Sequence, residues 1–171
     1  VHLPTSAVKR GSEEYKESFN RVFGDEQLMI MDASFDTGAT VDAVVARVRF
    51  MAKAMDCKVI ILDHISILVS GGQHGDERKA LDEIMTKLRT LTQDTGIVLF
   101  AVSHLKRPEG KGHEEGAATS VAQLRGSASI AQLSDFVIGL ERNGQAEDPT
   151  ERNTTHIRVL KNRFSGITGP A

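Results

Sequence analysis

Two spacings of apolar residues alternate along the chain. Tyr15, Phe19, Val22 and Phe23 recur at three to four residues behind Ser12 and the acidic pair Glu13 and Glu14, and Gly24 follows. That pattern predicts a short amphipathic helix with an N-cap and a glycine stop. Val41, Val44, Val45, Val48, Met51, Ala52 and Met55 repeat the spacing, with Thr40 placed to cap them. Leu81, Ile84, Met85, Leu88 and Leu91 mark a further helix that ends before Gly96.

Between these lie continuous apolar runs too short for helices. LMIMD (28–32), KVIILD (58–63) and GIVLFAVSH (96–104) read as strands hydrophobic on both faces. Strands of that kind, separated by helices, predict βαβ units with right-handed crossovers and a mostly parallel sheet. The polar, glycine-rich segment 105–120 reads as an exposed loop and 121–134 as a short helix. DFVIGLER and THIRVLKNRF read as two more strands, joined by the polar run 143–154. With no predicted helix between them, they are expected to pair antiparallel. The fold class is α/β, with three layers.

Composition narrows this picture in a few respects. At 171 residues, 40% hydrophobic and 26% charged, the chain can bury one ordinary core. A formal net charge of -2 supplies no global attraction for nucleic acid, so any such contact must be local. The single cysteine, Cys57, excludes an internal disulfide framework and fits a reducing, cytoplasmic setting. No apolar run is long enough to span a bilayer, so no membrane association is expected. The first residue is Val1 and the last stretch is SGITGPA, which suggests a piece of a longer protein.

Candidate chemistry sits where strands end. Open parallel sheets bind ligands at the carboxyl ends of their strands. An apolar strand running into Asp63 is the Walker B pattern, whose carboxylate holds Mg²⁺ against nucleotide phosphates; an Asp capping a turn is the alternative. His104 ends the next strand, where it could touch a terminal phosphate or simply bond its own loop. Lys106, Arg107 and Lys111 follow on that loop and could grip a phosphate backbone, although Glu109, Glu114 and Glu115 offset their charge. Arg125, Gly126 and Ser127 stand at a helix boundary suited to an anion. Lys161 and Arg163 share one side of the last strand by period two, as a pair reaching a phosphate on a neighbouring subunit would.

Taken in order, VIILDHISILVS, DERKALDEIMTKLR, SHLKRPEGKGHEEG, LRGSASIAQLSD, GLERN and LKNRFSGITG resemble the helicase domain of phage T-odd-type replicative primase–helicases. These belong to the wider DnaB-type hexameric helicases with a RecA-like P-loop NTPase core. The resemblance implies that Asp63 is the Walker B acid near Mg²⁺ and His104 the γ-phosphate sensor. It implies that Lys106, Arg107 and Lys111 face single-stranded DNA in a central channel, with Arg125, Gly126 and Ser127 turned the same way. Lys161 and Arg163 match the pair that reaches the adjacent subunit's nucleotide, Arg163 as the finger, and Arg142 matches a residue near the base. The implied cofactors are Mg²⁺ and ATP or dTTP in the intact parent. The implied partners are single-stranded DNA, a homo-hexamer or heptamer and replisome proteins, in a bacterial cell or phage-infected host.

The sequence departs from that family in places. It contains no G-x-x-x-x-G-K-[ST], and the family's water-activating glutamate would precede Val1. Gln123 stands where the family commonly has Asp, and the DNA loop is shorter with fewer lysines. Residues 1–171 are thus expected to be one partial RecA-like domain without the N-terminal P-loop strand and helix, and inactive in isolation. A RecA-type recombinase or other ring ATPase, and a non-catalytic DNA-binding or ring-interacting module, remain as alternatives.

Overall fold

A computed structural model describes residues 12–24, 28–31, 40–65, 77–106, 110, 112–124 and 128–170. The chain divides into two compact units, Val1–Asp36 and Thr37–Ala171. In the first, α1 spans Glu13–Phe23, and the Ser12 hydroxyl accepts the Tyr15 N–H at 3.2 Å. The rings of Tyr15, Phe19 and Phe23 stack in sequence along it. Residues 28–31 form no strand, contrary to the sequence expectation, and Ile30 is 74% exposed. An apolar run becomes a strand only when a neighbour takes up its N–H and C=O groups, and no ladder among the described residues includes this one.

The second unit begins with α2 (Val41–Lys53), capped by the Thr40 hydroxyl on the Ala43 N–H. β1 (Val59–Leu62), α3 (Glu77–Thr95) and β2 (Val98–Ala101) follow. β1 and β2 are adjacent and parallel, with Val59 opposite Val98 and Leu62 opposite Ala101. The core lies where α2 and α3 pack together and α2 meets β1. Val44, Val48 and Ala52 of α2, Leu81, Ile84, Met85, Leu88 and Leu91 of α3, and Ile60 of β1 are all buried. Each large apolar side chain buried this way contributes about 1.5–3 kcal/mol. Lys87 of α3 bridges to Asp42 at the start of α2, and that bond, with a second to Glu83, raises its pKa.

Beyond β2, a 3-10 turn covers Val121–Gln123 and α4 covers Ala128–Leu133, so the helix expected over 121–134 is divided. β3 (Phe136–Glu141) and β4 (His156–Asn162) pair antiparallel, as expected, and β5 (Gly169–Pro170) adds a short edge. The polar run between β3 and β4 contains a small helix, α5 (Pro149–Asn153). Its signals are visible in hindsight: Asp148 accepts the Thr150 and Glu151 N–H groups, and Pro149 occupies the first turn.

The side of β1–β2 away from Ile60 carries Val59, Ile61, Val98 and Phe100, all exposed. Phe136, Ile138 and Leu140 of β3, with Ile157 of β4, make a second exposed apolar row. Parallel sheets normally carry helices on both faces. Among the described residues, one face of β1–β2 is covered and the other is bare.

Candidate functional site at the carboxyl ends of the strands

In-register pairing brings the ends of β1 and β2 to one edge. The ladder continues a little past both strands: Val102 N–H donates to Leu62 O at 2.9 Å, and Ile65 N–H donates to Val102 O at 3.0 Å. Ile65 is fully buried, so it anchors the chain just beyond the turn. Asp63 lies between these two fixed points and is exposed at the edge. The acid that ends an apolar run is therefore displayed by the residues around it. His104, three residues past β2, is exposed at the same edge.

His64 follows Asp63 directly in the chain. Its ring meets that of His104 edge-on, with centroids 4.2 Å apart. Two imidazoles and a carboxylate thus share this rim. Among the described residues, no group of three or more His, Cys, Asp or Glu side chains stands close enough to hold a metal alone. A lone exposed carboxylate still suits Mg²⁺, which keeps several waters and binds through one or two carboxylates plus substrate phosphates.

The loop that leaves His104 is closed at its neck. Leu105 and Leu124 form an antiparallel bridge, and Lys106 N–H donates to Gln123 O at 2.7 Å. The exposed Lys106 lines an open hollow of about 490 Å³ together with Arg78, Leu124, Ala128 and Gln132. Arg107, Lys111, Arg125, Gly126 and Ser127 lie outside the described residues. Arg142 is exposed immediately after β3.

Lys161 and Arg163 do converge on one spot, but it is the C-terminal end of α4 in the same chain. The Lys161 ammonium donates to the carbonyls of Ala131, Gln132 and Ser134, and the Arg163 guanidinium donates to Gln132 O. Cations satisfy the orphan carbonyls of a helix end and suit its dipole. Burial lowers the Lys161 pKa, with nearby Arg163 adding to the effect. Arg163 also lies 3.4 Å from Asp135 Oδ1, an ion-pair distance, while Arg89 of α3 donates to Oδ2.

A β-bulge explains this aim. Val137 opposes Lys161 but Ile138 opposes Val159, which leaves Leu160 as the extra residue. Paired residues share a side of the sheet, so the bulge sends Lys161 to the face opposite Val159. Simple period-two counting along β4 could not reveal it.

One buried cluster escaped the sequence reading. Glu141 at the end of β3 is 8% exposed. Its Oε1 accepts the Arg158 Nε–H at 2.7 Å, the Thr119 N–H at 2.7 Å and the Thr119 hydroxyl at 2.8 Å. The Arg158 guanidinium beside it, then the two Thr119 bonds, hold its carboxyl down to about 2 against the opposing effect of burial. Only an acid placed two positions along from the residue opposite Arg158 hinted at a diagonal pair.

The sequence and fold match known proteins. Residues 4–170 match the family model of the DnaB-like helicase C terminal domain. The chain is 45% identical over 158 residues to a DNA helicase/primase of Enterobacteria phage T3, covering 92% of the chain and 27% of that protein. It is 25% identical over 128 residues to the replicative DNA helicase DnaC of Bacillus subtilis, covering 74% of the chain and 28% of that protein. The chain therefore spans about a quarter of the length of these relatives. A solved structure of a DnaB-like replicative helicase superposes with a TM-score of 0.70 at 16% identity, covering 99% of this chain and 40% of that one. That likeness shows the RecA-like fold.

Proposed function

This chain belongs to the DnaB-like helicase C-terminal domain family, and on that premise we propose that it is part of a replicative DNA helicase. Residues 1–171 are one partial RecA-like domain of it. The parent protein hydrolyses a nucleoside triphosphate, ATP or dTTP, at the interfaces of a six- or seven-membered ring. It draws single-stranded DNA through the centre and works alongside other replisome proteins.

The observation that carries this reading is the in-register parallel pairing that sets Asp63 and His104 at one sheet edge. Phosphoryl transfer asks the protein mainly for positioning and for charge placed against the phosphates. Asp63 is positioned to orient a hydrated cation there. When bound, Mg²⁺ supplies neutralisation of phosphate charge. His104 stands where a terminal phosphate would lie, and it begins the loop that carries Lys106, Arg107 and Lys111. Loss of that phosphate shifts the start of the loop, and with it the DNA contact. Arg125, Gly126 and Ser127 extend the DNA-facing surface, and Arg142 attends the base. Lys161 and Arg163, held here by the end of α4, turn towards the neighbouring subunit's nucleotide in the ring.

The test is nucleotide hydrolysis and duplex unwinding by the full-length parent, with and without Asp63→Ala. The expected result is loss of Mg²⁺-dependent hydrolysis and of unwinding by at least about two orders of magnitude, the scale of removing a main charge-stabilising group. Calorimetry on residues 1–171 alone should detect little affinity for an ATP analogue, because no glycine-rich lysine loop is present. Undiminished hydrolysis in the Asp63→Ala parent would overturn the assignment.

A further inference from the structure

The Glu141 cluster has a place in the chain that the site just described does not use. Segment 105–124 leaves His104 and returns through the Leu105–Leu124 bridge. Its returning limb is fastened to the end of β3 at two further points. Glu115 bridges Asn143, with Gly144 N–H donating to Glu114 O at 3.0 Å. Four residues on, Thr119, itself only 6% exposed, gives both its N–H and its hydroxyl to Glu141. Arg142 lies between these two fastenings and is exposed.

The local sequence is fitted to this arrangement. Thr119 lies directly over Gly139, where a Cβ would collide with its hydroxyl oxygen. Gly116 has φ +82°, and a Cβ there would come within 2.9 Å of Asn143 Cβ. Arg158, opposite Gly139, reaches diagonally to both Glu141 oxygens. A buried carboxylate that accepts four hydrogen bonds, three of them at Oε1, holds its donors in one geometry.

We propose that Glu141 is a positioning residue: through Thr119 it locks the returning limb of the loop that begins at His104 onto the strand end bearing Arg142. The two then move as one body, and DNA bound along the loop acts on the nucleotide edge through that lock. This rests on the helicase reading above, since it assigns the loop to DNA and Arg142 to nucleotide.

The test compares hydrolysis rates of the full-length parent with and without single-stranded DNA. Thr119→Val keeps the side-chain shape and removes the hydroxyl donor. It is expected to lower the DNA-stimulated rate about ten- to a hundredfold, the scale of one hydrogen bond to a charged group. The DNA-free rate and the KM for nucleotide should stay within about twofold, a margin well below the loss of one such bond. Thr119→Ser restores the hydroxyl and should restore stimulation. Gly139→Ala, which displaces Thr119 by collision, should reproduce the defect. Equal stimulation in wild type and Thr119→Val overturns the lock, and so does a parallel fall of both rates, which marks general damage. A wild-type parent that hydrolyses nucleotide with no response to DNA overturns the helicase reading, and the lock with it.

Discussion

At the scale of single residues, charge placement decides more here than charge count. Glu141 is the clearest case. Its carboxyl is held at about 2, against an ordinary 4.5, first by Arg158 and then by Thr119. The folded protein thus binds fewer protons at this site than the unfolded chain. Its contribution to stability is complete above about pH 4.5 and is lost as pH falls towards 2. Urea midpoints measured across that window should drop with acid in the wild type, and Glu141→Gln should flatten the part of the slope due to this group. An unchanged slope would show that the carboxyl is not held down. Lys161 and Arg163 teach the same lesson from the other side. Their residue types and spacing were legible in the sequence, but their present partners, the α4 carbonyls, depend on an extra residue in β4.

At the scale of elements, periodicity found α1, α2 and α3, the first two with their N-caps, because amphipathic spacing is imposed by the core itself. It found β1 through β4 for a related reason, and the ends of β1 and β2 lie where the candidate residues were sought. It failed where pairing or local side-chain bonds decide the outcome. Residues 28–31 have strand composition but no partner ladder, and α5 depends on an Asp cap in a run that reads as loop. Among the described elements, α3 supplies the most buried apolar side chains, so the fold depends most on it. Leu91 of α3 is fully buried, and α3 packs against both α2 and α4. Leu91→Ala should destabilise the fold by about 2–5 kcal/mol, read from chemical denaturation, whereas exposed Arg78→Ala on the same helix should stay within about 0.5 kcal/mol. Similar losses for both would mean that α3 does not pack as described.

At the scale of the whole molecule, the exposed apolar rows on the two sheets matter most. Ile61 is 68% exposed and so is Leu140, each amid other uncovered apolar side chains. Contiguous apolar surface of this kind marks a face made to be covered. Residues 1–171 in isolation are therefore expected to bind a hydrophobic dye and to self-associate with rising concentration in sedimentation. Ile61→Thr together with Leu140→Thr should weaken both effects; a dye-silent monomer at all concentrations would contradict the exposure. The pairing of β1 with β2 has one more consequence, in time rather than in space. Their contact joins strands separated by the whole of α3, whereas β3 and β4 meet across a short connection. Closing the longer loop sacrifices more chain entropy before any hydrogen bond is gained. As the polypeptide folds, the hairpin that carries Lys161 can form early, and the rim that brings an acid beside an imidazole is completed late.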